Sequence, residues 1–207
     1  MRLDLARITV AGAALLVVGA VYTAALAQQA SDYRDVDYKP LFNSQGHLLQ
    51  PKDFRRLVFI GAPLTPHGLN NGAANFPEIH NVYVQPKAFE AYRKTGKWPE
   101  GTMMIKELQL VKTGADNFKD GSRVEPSGRG YFPAMPNGMD VSVKDSRRFA
   151  DTKNWGYFNF GHRAPPYAAT APEAPKEECA VCHMVNAHED MVYVEFYRPI
   201  LDPLPTP

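Results

Sequence analysis

Near the carboxyl end of the chain, two cysteines and a histidine have the spacing that attaches a haem covalently. Cys179, Cys182 and His183 fit the pattern C-x-x-C-H, in which both thiols form thioethers to the porphyrin and the histidine ligates the iron. They are the only two cysteines in the sequence, and both belong to the motif. The motif therefore predicts one covalent haem c per chain, bound by Cys179 and Cys182, with His183 as the iron ligand.

Three other uses are known for such a pair of cysteines: a disulfide between neighbours, a redox-active dithiol, and half of a zinc site. A zinc site would need two further ligands at compatible spacing, and the sequence has no second cysteine pair. A thioredoxin-like dithiol lies early in a βαβ unit, whereas this pair lies near the end of the chain. The histidine that directly follows the second cysteine favours haem attachment.

The amino-terminal segment predicts export. Arg2 and Arg7 precede an apolar run that begins at Ile8 and closes with a small residue at Ala27, an arrangement typical of a secretory signal peptide. The run is long for a signal peptide, so an uncleaved membrane anchor is the alternative. Bacteria attach c-type haem outside the cytoplasm, and we therefore expect a periplasmic protein with a signal peptide at residues 1–27 and a single haem domain at residues 28–207.

The charge of the exported part argues against a nucleic-acid partner. The whole chain has a formal net charge of +1, and removal of the leader takes away Arg2, Asp4 and Arg7, which leaves a net charge of zero. Such a surface has neither the basic patch that binds nucleic acid nor a polybasic membrane-binding segment.

Strand periodicity dominates between the leader and the haem motif. Short runs rich in β-branched and aromatic residues, bounded by turn residues, predict strands at residues 57–60, 79–84, 102–111, 139–143 and 155–160. Two segments, residues 114–130 and 163–175, have the composition of irregular surface chain.

Helices are fewer. One is predicted over residues 86–95, because Pro86 suits its first turn and Gly96 suits its end. A second should carry the haem motif from about Pro175 to His188, and residues 189–197 would continue or restart it. The expected fold class is α+β: an antiparallel β-sheet with packed helices and the haem motif on a C-terminal helix.

Alternation along residues 102–110 places a lysine among apolar residues. One face of the predicted strand carries Lys106 between Met104 and Leu108, whereas the other face is more polar and carries Glu107. The amine either reaches solvent along the core surface or loses its solvation, which favours the neutral, nucleophilic form. Beside a haem, such an amine could react with the macrocycle or assist proton transfer.

Several segments resemble the cytochrome P460 family, in the same order along the chain. They are residues 77–84 (PEIHNVYV), 94–102 (KTGKWPEGT), 106–108 (KEL), 127–132 (SGRGYF), 143–145 (VKD) and the haem motif. The resemblance runs from about residue 42 to residue 199. It implies a β-rich, usually homodimeric periplasmic cytochrome c that oxidises hydroxylamine and passes the electrons to a soluble c-type cytochrome. It also implies a covalent bond from a lysine to a meso carbon of the haem.

The resemblance assigns roles to individual residues. Lys106 corresponds to the cross-linked lysine, His183 to the proximal ligand, and the two cysteines to the thioether residues. His80 and Asp140 fall where the family has polar residues over the open distal face, which makes them candidate proton acceptors. From the residues alone, His80 on a face with two valines could be a structural core histidine, and Asp140 on a face with Ser142 and Lys144 could face solvent.

Two other functions stay open. The β-sheet cytochromes c′, which look related in fold, bind nitric oxide at an apolar distal pocket and lack the cross-link; Phe76 or Phe132 could supply the aromatic wall. Simple electron transfer would need a sixth iron ligand such as Met104, Met135 or His80. Lys106 favours the enzyme, because a gas-binding relative has no need of it. His47, His67 and His162 are predicted to be surface residues, and His188 is predicted to point away from the haem.

Overall fold

A five-stranded antiparallel sheet forms the centre of the structure, a computed structural model that describes residues 39–201. The predicted signal peptide lies outside the described residues. The strands are β1 Leu48–Leu49, β2 Val58–Gly61, β3 Ile79–Val84, β4 Met103–Val111, β5 Arg123–Glu125, β6 Gly128–Gly130, β7 Pro133–Lys144, β8 Trp155–Asn159 and β9 Thr170–Ala171. The central sheet has the order β2-β3-β4-β7-β8, and β1 pairs with β9 and β5 with β6 in two small sheets.

Three helices and four short 3-10 turns complete the described part. The helices are α1 Pro86–Thr95, α2 Ala180–Asn186 and α3 Arg198–Leu201; the 3-10 turns are Phe54–Arg56, His67–Leu69, Ala150–Thr152 and Val194–Phe196. Within residues 39–201 no helix combines the length and the apolar character that a membrane span requires. A mostly antiparallel sheet with few helices confirms the predicted α+β class.

Helix α1 has the bounds that the sequence predicts, and Gly96 at its end adopts the left-handed conformation with φ 68°. The helix predicted over residues 175–188 is wrong in length, because α2 has only seven residues. Ala187 leaves the helix in an extended conformation, and both Asp190 and Met191 have positive φ. The chain thus turns back after α2, and the predicted helical continuation is replaced by the 3-10 turn Val194–Phe196.

The two segments predicted as irregular each contain strand structure. Residues 114–130 include the hairpin of β5 and β6, and residues 163–175 include β9, which pairs with β1. The hairpin segment packs closely on the loop before β3: a Cβ added at Gly68 would lie only 2.2 Å from the carbonyl oxygen of Asp120. Glycine at this position permits the approach.

Both faces of the central sheet are covered, so the alternating pattern does not separate a buried face from a solvent face. The face that packs on α1 and α2, here called the α2 face, includes Val82, Met104 and Tyr157, which share a core with Ala180. On the opposite face the side chains include Met103 and Ile105, which are part of a second core. The face of β4 that the sequence pattern suggests is more polar is therefore buried as well.

Candidate functional site

The haem motif forms the first turn of α2. Cys179 directly precedes the helix and is half-buried, and Cys182 lies one turn later and is exposed. Residues three and four positions apart lie on one side of a helix, so the two thiols and His183 are neighbours on the same side. Both cysteines are free thiols in the structure, which leaves them available for thioether formation. Burial raises the pKa of the Cys179 thiol.

His183 is held by the turn that follows α2. Its Nδ1 lies 2.7 Å from the carbonyl oxygen of Met191, to which it donates when protonated at that nitrogen. The imidazole ring lies between Tyr157, at 4.6 Å, and Tyr193, at 5.0 Å between ring centroids. Burial lowers the pKa of His183, which favours the neutral imidazole that binds metals. With Nδ1 engaged, Nε2 is the nitrogen that can ligate iron.

Lys106 lies in a row of four residues that crosses the α2 face. Val82, Lys106, Asp140 and Asn159 are direct cross-strand partners on β3, β4, β7 and β8. The Lys106 amine is 3.0 Å from Asp140 Oδ2 and 4.5 Å from the centroid of the Phe76 ring. The side chain is 29% exposed. The lysine that alternation places among apolar residues is thus partly buried and paired with a carboxylate.

Asp140 is the centre of the polar cluster on this face. Its Oδ1 accepts a hydrogen bond from Asn159 Nδ2 at 2.7 Å and lies 3.5 Å from His162 Nε2. Burial alone would raise the pKa of Asp140, but the interactions with His162 and Lys106 outweigh burial and lower it to about 2. The carboxylate is therefore ionised at neutral pH. Its side chain is 25% exposed, so the solvent-facing alternative drawn from its sequence neighbours is not what the structure shows.

His80 occupies the next row of the same face, opposite Leu108. Its Nε2 lies 3.3 Å from the carbonyl oxygen of Phe76, and its ring meets the Phe76 ring edge-on at 5.9 Å. Burial, followed by the positive charge of Lys106, lowers the pKa of His80. The imidazole is therefore neutral at pH 7.

The haem motif and this polar row lie on the same side of the sheet. Ala180 of α2 packs in one core with Val82 and Tyr157 of the α2 face. The charge of the Lys106 amine acts on two residues of the motif: it adds to the lowering of the His183 pKa and opposes the rise that burial causes in the Cys179 pKa. Two thiols and a neutral imidazole on one side of a helix that packs on the sheet are a donor set that fits a c-type haem.

The buried hydroxyl of Tyr157 supports this fit. Among the described residues it has no hydrogen-bond partner, and such a group normally finds one. The ring that carries it contacts His183, so the unsatisfied oxygen lies beside the predicted iron ligand. A polar or water-lined cofactor site is one environment that would satisfy it.

His162 and Asn159 are the site residues that sequence reasoning missed. His162 was predicted to be a surface residue, and its side chain is indeed 46% exposed, yet it lies within ion-pair distance of Asp140. Both residues were within reach of the sequence, because β7 and β8 are consecutive strands. Pairing them as a hairpin places Asn159 opposite Asp140.

The family model described as Cytochrome P460 matches residues 51–194, which covers the central sheet, helix α1 and the haem motif. A search of the curated proteins found no match.

Proposed function

The chain belongs to the cytochrome P460 family of c-type haem proteins, and from this premise we propose that it oxidises hydroxylamine. The observation that carries the proposal is the position of the Lys106 amine, which lies on the face that packs on the haem motif and is paired there with Asp140. The resemblance further suggests that the protein acts in the periplasm as a homodimer and passes electrons to a soluble c-type cytochrome.

Three residues would hold the haem. Cys179 and Cys182 would form the thioethers, and His183 Nε2 would ligate the iron while Nδ1 donates to Met191. A hydrogen bond at Nδ1 orients the imidazole and increases its basicity as a ligand. When bound, the haem supplies a one-electron redox centre and an open Lewis-acidic coordination position.

Lys106 is proposed to bond to a meso carbon of the porphyrin. The new C–N bond would replace one N–H and one C–H bond, so its formation would release two protons and two electrons, which a two-electron oxidant such as a peroxide would have to take up during maturation. The carboxylate of Asp140, 3.0 Å from the ammonium, is placed to accept the proton that must leave before the amine can act as a nucleophile. Strand β4 fixes the starting position of the side chain.

Asp140 is also the proposed proton acceptor during turnover. Conversion of two hydroxylamine molecules to one nitrous oxide and one water releases four protons and four electrons, and conversion of one hydroxylamine and one water to nitrous acid releases the same numbers. A base near the substrate is therefore needed. Asp140 is ionised at neutral pH, and the neutral His80 on the next row is the second candidate base.

Nitric-oxide binding without turnover is the competing function, and one observation favours it. The Phe76 ring lies over the Lys106 amine and meets both His80 and His162 edge-on. An aromatic ring at this place would restrict the distal side to a small diatomic ligand. The covalent state of Lys106 distinguishes the two functions.

The decisive experiment is mass spectrometry of haem-bound peptides from protein matured in a bacterial periplasm, combined with hydroxylamine oxidation assays. We expect Lys106 and the peptide with both cysteines on one porphyrin. The Lys106→Leu variant should keep its thioether-bound haem and lose most of its turnover. Lys112→Leu is the matched control, because Lys112 directly follows β4 and pairs with Glu125 at the surface. Full activity of Lys106→Leu, or a free Lys106 in active wild-type protein, would refute the proposal.

A further inference from the structure

His162 connects the carboxylate of Asp140 to solvent. It lies in the loop after β8, and its Nε2 is 3.5 Å from Asp140 Oδ1. Whereas the Asp140 side chain is 25% exposed, that of His162 is 46% exposed. An imidazole can accept a proton at one nitrogen and release another from the second nitrogen. His162 therefore has both the contact and the exposure that a proton exit requires.

Asn159 lets both protonation states of His162 keep their hydrogen bonds. Its amide Nδ2 is 2.7 Å from Asp140 Oδ1 and 3.0 Å from His162 Nε2. When His162 Nε2 carries no proton, the Asn159 amide can donate one N–H to Asp140 Oδ1 and the other to His162 Nε2. When His162 is protonated there, it donates to Asp140 itself. In both states His162 Nε2 keeps a hydrogen-bond partner and the bond from Asn159 to Asp140 remains, so little reorganisation separates the two states. Only the second N–H of Asn159 loses its acceptor when the imidazole is protonated.

The position of the His162 ring is fixed by its surroundings. A Cβ added at Gly138 on β7 would lie 3.0 Å from His162 Cδ2, so the backbone approaches the ring closely and only glycine leaves it room. The Phe76 ring meets the imidazole edge-on at 6.1 Å. The charged groups that act on His162 are Asp140 from β7, Lys106 from β4 and Glu78 from the loop before β3.

The proposed lysine cross-link would strengthen the coupling between Asp140 and His162. An amine bonded to an aromatic carbon is far less basic than an alkyl amine, so Lys106 would lose its positive charge. His162 would then be the remaining cation within ion-pair distance of Asp140 among the described residues. Asp140 then shares a proton with the His162 imidazole and no longer with the Lys106 amine.

We infer that His162 and Asp140 form a proton-exit dyad in which Asp140 takes protons from the substrate side and His162 passes them to solvent. This inference rests on the proposed hydroxylamine oxidation and adds a residue to it. In each cycle the carboxylate accepts a proton, His162 Nε2 takes it from Asp140, and Nδ1 gives one to water. Proton exchange between the exposed imidazole and water then restores the Nδ1–H tautomer, so that Nε2 can accept again. Protons balance at every step, and no electron moves through the dyad.

His80 is less suited to this role although it lies on the same face. Its Nε2 points to the Phe76 carbonyl oxygen, which holds the ring away from a simple exchange with Asp140. Burial and the charge of Lys106 lower its pKa, whereas the hydrogen bond with Asp140 raises the pKa of His162. His162 is thus the histidine that can hold a proton received from the carboxylate.

The first test measures the dyad without turnover. Hydrogen–deuterium exchange at the imidazole C2 position, read by peptide mass spectrometry of the haem-loaded protein, reports the pKa of each histidine. Trypsin releases residues 154–163 with His162 as the only histidine. In Asp140→Asn the His162 pKa should fall towards or below the unperturbed value of about 6.5, and that of His47, remote in sequence, should not change. An unchanged His162 pKa would overturn the dyad.

The second test measures proton exit during turnover. His162→Gln keeps a hydrogen-bonding amide but cannot carry a proton, so kcat should fall about 10- to 100-fold while KM changes little. Raising the concentration of a buffer that leaves the haem absorption spectrum unchanged should restore part of kcat, because the exposed site admits an external proton acceptor. His47→Gln serves as the matched control. If His162 had only a structural role, the His162→Gln substitution would alter KM or the haem content, and kcat would not depend on the buffer concentration.

The two tests separate the dyad from the proposed reaction. If the wild-type protein fails to oxidise hydroxylamine while Asp140→Asn still lowers the His162 pKa, the proposed function fails and the dyad stands. If the wild-type protein turns over and His162→Gln retains full kcat at every buffer concentration, the exit role is refuted and the proposed function stands.

Discussion

Glu107 should anchor strand β4 from the face opposite to Lys106, and replacing it with glutamine tests this directly. Its carboxylate is 5% exposed. Oε2 accepts from Arg55 Nε at 3.1 Å, and Oε1 accepts from Arg55 Nη2 and from the Tyr167 hydroxyl at 2.9 Å. Burial and the hydrogen bond to Glu107 raise the pKa of Tyr167, so the phenol stays a donor. The cluster ties β4 to the 3-10 turn Phe54–Arg56 and to the loop before β9.

The expected loss of stability in Glu107→Gln follows from the hydrogen bonds that the substitution removes. In Glu107→Gln the amide nitrogen faces donors from Arg55 and Tyr167, so at least one charge-assisted hydrogen bond, worth about 1.5–3 kcal/mol, disappears. Because the Arg55 side chain is 55% exposed, it regains water, and the loss stays below the full cost of a buried unpaired charge. We expect a decrease of about 2–3 kcal/mol in the free energy of unfolding, or about 4–12 °C in Tm.

Guanidinium unfolding followed by circular dichroism gives the free energy, and the haem absorption spectrum reports the site. Glu90→Gln is the control, since Glu90 is an exposed residue of α1, where such a substitution changes the stability little. Glu107→Gln should be less stable than this control while its haem spectrum and Lys106 linkage stay unchanged. Equal stability of the two variants would refute the anchoring role. A folded Glu107→Gln protein that lost the linkage would show that the two faces are not independent.

Three further predictions concern the surroundings of the site. Asp190→Ala removes the carboxylate that fixes the left-handed turn at Asp190 and Met191. Without it, the hydrogen bond between the proximal imidazole and the Met191 carbonyl oxygen should weaken. A weaker hydrogen bond should raise the haem reduction potential, which spectroelectrochemistry measures. Gly138→Ala crowds His162 and should cost about 1–3 kcal/mol of stability in chemical unfolding. The folded pKa of Asp140, about 2, lies below its ordinary value of 3.8. Its stabilisation should therefore be complete above about pH 4 and lost as pH falls towards 2, a dependence that Asp140→Asn should lack in acid titrations of Tm.

The predictions were accurate for helices and strands whose ends are set by neighbouring residues in the sequence, such as a proline or a glycine. Helix α1 begins at Pro86 and ends before Gly96, where a proline of fixed φ and a left-handed glycine act within one turn. Strand β3 has the bounds that its β-branched residues and the following proline predict. Strands β4 and β8 differ from the prediction by one residue at one end, and β2 differs by one residue at both ends. Strand β7 begins six residues earlier and ends one residue later than predicted. Lys106 could be singled out for the same reason, since its face depends only on alternation within β4.

Features decided by long-range contacts could not be predicted. Helix α2 ends at Asn186 because the chain turns to bring the Met191 carbonyl to His183 Nδ1, and helix propensity carries no information about that contact. Glu107 looks like a solvent-facing residue until Arg55, about fifty positions earlier, is placed beside it.

The neighbouring residues Lys106 and Glu107 show why the site needs an anchored strand. Side chains alternate along a strand, so a slip of one residue in the register of β4 would exchange the two faces. Because both faces of the sheet are buried, hydrophobic burial alone distinguishes the two registers poorly. A carboxylate held by Arg55 and Tyr167 on one face distinguishes them strongly, since the slipped register would bury a charge without these partners. The Glu107 cluster would thus disfavour the slipped register. In the native register the other contacts of the sheet still hold the Lys106 amine on the face that packs on the haem motif, so Glu107→Gln should lose stability and keep the linkage.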